Sequence, residues 1–319
     1  VNQQYRRVRV FAPASVGNVG PGFDTLGMAI TGPGDTVEAE WCDEPGIHIA
    51  DITGDGGRLP RKAADNTCGI AAAEVLKLAG EETAGVSLIL HKGVPGTGLG
   101  SSAASAVAGA WAVNALLGER FAKEELLPAC VAGEQHVSGG VFLDNLAAAL
   151  YGGVVACHTT MNRAWRVGTL EDLQVVVVTP QTQGLTRDSR GRLSDGVPLK
   201  GFVHNMAAAC AMVAAVARGD AATFGRAIDD RVVEPQRAGL IRGFAKVKDA
   251  ALEAGALGCS ISGAGASVFA VTDDAGRTEA IAHAMAGAFA RAGASATVTL
   301  ARIDADGART LPDGARIPE

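Results

Sequence analysis

The stretch Pro95-Gly96-Thr97-Gly98-Leu99-Gly100-Ser101-Ser102-Ala103-Ala104 concentrates three glycines and three hydroxyls directly ahead of an apolar, Ala-rich run. Glycine permits a tight path and lets main-chain amides come close to a ligand. The start of a helix offers unpaired N–H groups and the positive end of the dipole, which together suit an anion. Ser101 and Ser102 add side-chain donors, and a serine oxygen also suits a phosphate-bound Mg2+. The chemistry is anion binding, with the phosphates of a nucleotide as the leading ligand. A serine-capped glycine turn with no ligand is the structural alternative. The pattern G-x-x-x-x-G-K-[ST] is absent, and the glycines fit G-x-G-x-G rather than the dinucleotide fingerprint G-x-G-x-x-G. Neither serine sits in a G-x-S-x-G elbow, which argues against a serine hydrolase.

Other polar residues fall in short clusters between apolar segments. Asn18 and Asp24 lie in a Gly- and Pro-rich loop, Ala12–Gly27, where both ligand contact and ordinary turn chemistry are open. Asp65 and Asn66 stand where a helix cap is expected. Asp144-Asn145 precedes an apolar run and also reads as a cap. Glu134, placed just beyond a helix ending near Gly133, reads on its own as a solvated charge. Arg187 and Arg190, and Arg237 in Glu234-Pro235-Gln236-Arg237, read on their own as surface charges.

Periodicity supplies the elements that must position these groups. Strands are expected at 7–11, 36–41, 47–52, 86–90 and 154–158, with 36–41 and 47–52 paired through a turn at 43–46. Helices are expected from 65–67 to 79, over 103–117 and over 123–132. The pattern loosens around 160–172, which sets a boundary between units 1–162 and 163–319. The second unit opens on the valine-rich strand 173–179. It continues with a short helix at 186–193, a helix at 197–218 apolar enough to be buried on most sides, a helix at 243–255, a strand at 268–271, a helix at 276–292 and a strand at 295–303. This order suggests helices packed on an antiparallel or mixed sheet.

The 319 residues, 48% hydrophobic and 19% charged, suffice for one large or two ordinary domains. A net charge of −6 without any Lys/Arg block argues against nucleic acid or an anionic membrane as partner. Six scattered cysteines without a C-x-x-C pair point to reduced thiols. The first residues lack the apolar core of a secretory signal, and apolar runs such as 206–217 are read as too short to span a bilayer. A soluble cytoplasmic protein is expected.

Three segments in order carry a resemblance. Ala12-Pro13-Ala14-Ser15 with Gly20-Pro21-Gly22-Phe23-Asp24-Thr25-Leu26-Gly27, then Gly98-Leu99-Gly100-Ser101-Ser102-Ala103, then Ser262-Gly263-Ala264-Gly265 resemble the GHMP kinases, over essentially the whole chain. The first segment, Asp144-Asn145 and the turn at Glu234 most resemble the homoserine kinases of that family. The resemblance implies an α+β, two-domain architecture, with an N-terminal domain of the ribosomal-S5-domain-2 type and a ferredoxin-like C-terminal domain. It implies ATP across the loop Pro95–Ala103, with Asn66 contributing, and Mg2+ held by Ser102 and Glu134. It implies phosphorylation of L-homoserine in threonine biosynthesis and, weakly, a homodimer. For the acceptor it implies Arg190 and Arg237 on a carboxylate, Asp24 at the ammonium, Asn18 and Asn145 near the reacting hydroxyl, and Thr186 and Gly263 alongside. Asn145 is the residue expected to orient that hydroxyl, with Asp144 as the local fallback for a base. Two positions depart from the family: Phe142 where homoserine kinases usually carry His, and Ala266 where the third motif usually ends in proline. Phe142 either removes a polar contact or shapes the pocket for a different acceptor. Another hydroxylated acceptor, or a non-catalytic nucleotide-binding protein on this fold, are the competing readings.

Overall fold

A computed structural model describes residues 6–312 except 139, 141, 182–190, 192 and 195. The first half builds β1 (Arg7–Gly17), β2 (Leu26–Cys42), β3 (Gly46–Thr53), α1 (Thr67–Ala79), β4 (Gly85–His91), α2 (Ser101–Leu116), α3 (Lys123–Ser138), α4 (Leu143–Tyr151), β5 (Val154–His158) and β6 (Arg163–Gly168). The second half adds β7 (Gln174–Pro180), α5 (Leu199–Arg218), α6 (Ala221–Arg226), α7 (Glu234–Arg237), α8 (Phe244–Glu253), β8 (Gly258–Ile261), β9 (Val268–Thr272), α9 (Thr278–Arg291), β10 (Ala296–Arg302) and β11 (Arg309–Thr310).

Two sheets result. The larger runs β11-β1-β2-β4-β3, with β5 paired to the start of β2 and β6 paired to β5. The smaller is four antiparallel strands in the order β10-β7-β9-β8, the ferredoxin-like arrangement. Helices α1 to α4 bury the larger sheet under one apolar core, and α8 and α9 bury one face of the smaller. A third core lies between the sheets, where Val16, Met28, Leu99 and Ala104 meet Val175, Val177, Phe269 and Met212. Leu99, from the glycine-rich loop, is thereby fixed in the seam between the two halves. Helix α2 is buried along 14 of its 16 residues, which explains its run of alanines: small side chains let α1, α3 and the sheet close in on all sides.

Several expectations need correction. Strands β2 and β3 do not pair with each other; β4 lies between them and runs parallel to β3, because α1 separates the two in sequence. The larger sheet extends past residue 162, since β6 pairs with β5, and the sheets part at 169–173. The second half carries the strand β8, which the Gly- and Ser-rich composition around it conceals. Helix α3 continues through Gly133 to Ser138, so Glu134 lies within the helix. That glycine is a close approach: a Cβ there would sit 2.6 Å from the Thr67 carbonyl oxygen. Helix α5 is mainly exposed, with only Asn205, Met212, Ala215 and Val216 fully buried. At 20 residues it is also long and apolar enough, by length and composition alone, to cross a membrane. The short helix expected at 186–193, with Thr186, Arg187 and Arg190, falls largely outside the described residues.

Candidate active site

The glycine-rich loop enters α2 with Gly98 and Gly100 in the left-handed region, at φ of 89° and 68°. Space demands glycine as much as dihedral does. A Cβ at Gly98 would lie 2.4 Å from the Ser262 carbonyl oxygen, and one at Gly100 would lie 2.3 Å from Ser15 Oγ. The three motif segments are therefore in mutual contact. Ser262 Oγ donates to the Gly98 carbonyl at 2.6 Å, the Ser267 amide donates to the Thr97 carbonyl at 3.2 Å, and the Ser15 amide donates to the Leu99 carbonyl at 3.1 Å.

Under the loop lies a buried ionic knot that the sequence did not reveal. The Lys92 ammonium pairs with the fully buried Asp35 carboxylate and donates to the Ser101 carbonyl and to Ser105 Oγ, each at 2.8 Å. Asp35 also accepts from Ser105 Oγ at 2.7 Å and from the Gly93 and Val94 amides. Ser101 Oγ turns back to the Val94 carbonyl at 2.9 Å. The first turn of α2 is thus tied at both ends to the strand that precedes the loop.

Around the loop stand the carboxylates and amides. Ser102 Oγ donates to Glu134 Oε1 at 2.8 Å, joining α2 to α3, and Glu134 is buried. Asp144, at the start of α4, accepts from the Asn18 amide at 2.7 Å and from the Asn145 amide at 2.9 Å. Burial pushes its carboxyl up to about 6 despite these bonds, and the charge on Asp24 adds to the rise. Asn145 Oδ1 accepts from Ser15 Oγ at 3.0 Å. The Asn18 side chain bridges two segments, with Oδ1 accepting from the Asp24 amide at 3.0 Å and Nδ2 donating to the Gly263 carbonyl at 2.9 Å. Asn18, Val19 and Asp24 all hold positive φ, a strained conformation that persists where surrounding contacts enforce it.

Arg237 ends α7, whose start is capped by Asp230: that carboxylate accepts from the Val232, Val233 and Glu234 amides. Glu234 is held in turn by Ser260 Oγ and Lys248. The guanidinium donates to the Gly263 carbonyl at 3.0 Å and lies 5.2 Å from the centre of the Phe23 ring. Gly263 therefore fixes both Asn18 and Arg237 through one carbonyl.

These groups line a cavity of about 470 Å3. Its wall includes Gly96, Gly98, Gly100, Ser101, Ser102 and Ala103 of the loop, together with Asn66, Glu134, Asp144 and Asn145. Asn18, Asp24, Arg237 and Gly263 are on the same wall. Pro95, Thr97 and Leu99 are not on that wall: Pro95 is exposed, Leu99 is in the core, and Thr97 meets Ser267. Asn66 serves twice, because its Oδ1 also caps α1 by accepting from the Cys68 amide at 3.0 Å. Phe142 stands on the wall where a polar side chain was weighed. Phe23, Leu59, Pro60 and Lys92 line it too, although the sequence argument did not single them out. Lys92 alone left a signal, three residues before Pro95.

Two family models match the chain, GHMP kinases N terminal domain over residues 66–153 and GHMP kinases C terminal over residues 212–291. The chain belongs to the GHMP kinase family. Among its relatives, the homoserine kinase of Arabidopsis thaliana is 41% identical over 313 residues, spanning 95% of this chain and 84% of that one. The homoserine kinase of Chloroherpeton thalassium is 40% identical, with 88% and 91% covered. The crystal structure of a homoserine kinase from Cytophaga hutchinsonii superposes with a TM-score of 0.92 at 38% identity, covering 98% of this chain and 99% of that one. Mevalonate kinase from L. major, in complex with R-mevalonate, shares the GHMP fold at a TM-score of 0.71 and 15% identity, with 95% and 98% covered.

Proposed function

We propose that this kinase transfers the γ-phosphoryl group of ATP to the side-chain hydroxyl of L-homoserine, giving ADP and O-phospho-L-homoserine. One observation carries the reading: a single cavity joins a phosphate-type glycine loop at a helix start to a second wall of Asn18, Asp24, Asn145 and Arg237. The homoserine kinases named above, about 40% identical over most of the chain, support the choice of acceptor. The reaction would serve threonine biosynthesis, in the cytoplasm, with the enzyme as a homodimer.

Phosphoryl transfer needs positioning and charge neutralisation more than covalent help. The loop amides and the first turn of α2 bind the polyphosphate, and the Lys92–Asp35 knot keeps that turn from shifting. Mg2+ would neutralise phosphate charge in such a reaction, and Ser102 with Glu134 are the residues that would hold it. Two hard oxygens fit this ion, which takes one or two protein ligands and completes its shell with phosphate and water. Among the described residues no cluster of three His, Cys, Asp or Glu side chains offers a fuller cage.

On the acceptor side, the Arg237 fork takes the carboxylate, Asp24 takes the ammonium, and Asn145 orients the hydroxyl. Thr186 and Arg190, carried over from the family, would complete this set. Asp144 serves as a positioning group, because both of its oxygens already accept main-chain amides, from Asn18 and Asn145. The hydroxyl proton then passes to the phosphate without a dedicated base. A coupled ADP-release assay comparing L-homoserine, D-homoserine, L-threonine and mevalonate tests this. A clear preference for L-homoserine is expected; a preference for any of the others overturns the acceptor, and ATP binding without turnover overturns the kinase.

A further inference from the structure

We propose that Asp230 and Glu234 are positioning residues for the acceptor, which together aim the Arg237 guanidinium from behind. The inference rests on Arg237 as the carboxylate ligand, as read above, and extends that reading to the frame that carries the side chain.

Arg237 ends α7, and α7 is only four residues long. A helix that short does not hold itself, because fixing its first turn costs more than the single bond gained returns. Pro235 removes one further main-chain donor from it. The turn must therefore be fixed from outside, and two buried carboxylates do so.

Asp230 fixes the start. Its Oδ1 accepts from the Val232 amide at 2.8 Å, the Val233 amide at 3.0 Å and Asn205 Nδ2 at 2.7 Å. Its Oδ2 accepts from the Glu234 amide at 2.8 Å. Asn205 belongs to α5 and accepts in turn from the Arg231 amide at 3.0 Å, so the turn is referenced to a second helix. Glu234 fixes the side. Its Oε1 pairs with Lys248 of α8, and its Oε2 accepts from Ser260 Oγ of β8 at 2.6 Å. Ser260 lies three residues before Gly263, whose carbonyl accepts from the Arg237 guanidinium at 3.0 Å. The base of the arginine and its tip are thus both tied to the end of β8.

Neither carboxylate lines the main cavity. Both line, with Ser260, a second and small cavity of about 10 Å3. Arg237 borders both spaces, so the two acids act on the guanidinium and not on the acceptor. Among the described residues neither acid bonds to the glycine-rich loop, whose ties to the second half run through Ser262 and Ser267. The frame therefore serves one substrate and not the other. A merely stabilising cluster would show no such selectivity.

Steady-state ADP release, with each substrate varied at saturating levels of the other, reads that selectivity. Asp230→Ala should raise KM for L-homoserine at least about tenfold, with KM for ATP and kcat held within about twofold. Asp230→Asn should restore most of the loss, because its carbonyl oxygen still takes the three donors of Oδ1 and only the Glu234 amide is stranded. Glu234→Gln releases Lys248 but keeps an acceptor for Ser260 Oγ, and should raise KM for L-homoserine about three- to tenfold. It carries the same comparison if Asp230→Ala does not fold. In an Arg237→Ala background, Asp230→Ala should change kcat/KM for L-homoserine by less than about twofold, since a residue that acts through another is not additive with it. Equal rises in both KM values, or an Asp230→Ala effect undiminished without Arg237, overturn the proposal. Arg237→Ala that raises KM for L-homoserine, while Asp230→Ala and Glu234→Gln leave it unchanged, overturns the frame alone. Arg237→Ala with that KM unchanged overturns the carboxylate reading and the proposal with it.

Discussion

Replacing Asp144 by asparagine should make the enzyme gain stability relative to wild type as pH rises, and slow it at neutral pH. The native carboxyl is 2% exposed and protonates at about 6, against 3.8 for an ordinary aspartate. Between those values the folded chain holds a proton that the unfolded chain has released, so stability falls as pH rises through the interval. At 1.36 kcal/mol per pH unit the interval amounts to about 3 kcal/mol. Below about pH 4 the native side chain is neutral in both states, and Asp144→Asn costs little beyond its altered hydrogen bonds. Above about pH 7 the wild type carries the buried charge and the variant does not. The variant's stability relative to wild type should therefore rise by about 3 kcal/mol from pH 4 to pH 7.5. Urea unfolding of both proteins across that range, without nucleotide, measures the difference. Parallel curves would refute the buried-charge reasoning. The amide also cannot accept from both the Asn18 and Asn145 main chains, because one of its two heads is a donor. Loss of a bond to a charged group is worth about 1.5–3 kcal/mol, so kcat/KM at neutral pH should drop about tenfold or more. Unchanged turnover would remove Asp144 from the positioning of the Asn18 loop.

Three further outcomes follow from the same geometry. Glu134→Gln should raise the Mg2+ concentration needed for half-maximal ADP release by at least about tenfold, with far-UV circular dichroism unchanged. Arg237→Lys keeps the charge but loses the fork over Phe23 and the Gly263 carbonyl, so KM for the acceptor should rise about ten- to a hundredfold, while KM for ATP barely moves. Lys92→Met strands the Asp35 carboxylate, and equilibrium unfolding should show a loss of about 3–5 kcal/mol; adding Asp35→Leu should return part of it.

The loop was legible because its signal is local: glycines two apart, then serines, then an apolar run. What makes Gly98 and Gly100 obligatory was not, since Ser262 and Ser15 approach them from distant parts of the chain. The Lys92–Asp35 pair was hidden for the same reason: 57 residues separate its members, and although Lys92 stands just before the loop, nothing in sequence marks Asp35. Gly133 misled in the opposite direction. Read alone it stops a helix, but α3 uses it to pass close to Thr67; on the residues alone Glu134 then reads as a solvated charge, and only the family likeness paired it with Ser102. The valine-rich strand β7 was plain from composition, whereas β8, four residues bordered by glycine and serine, has no periodic signal of its own. Composition also misjudged α5, because an apolar stripe reads the same whether it meets the core or the outside. The Asp144-Asn145 pair was found through family likeness; its residues alone are indistinguishable from a cap.

After β10 has completed the smaller sheet, the chain returns, and β11 lays Arg309 and Thr310 along β1, with Thr310 Oγ1 accepting from the Trp111 indole at 3.2 Å and Arg309 stacked on Phe11. Residues 10–11 and 309–310 are thus neighbours in one sheet, and the larger sheet takes its flanking strand from the second half. Cutting between the sheets would leave the nucleotide half with an open flank along β1, a place for stray strands to add on.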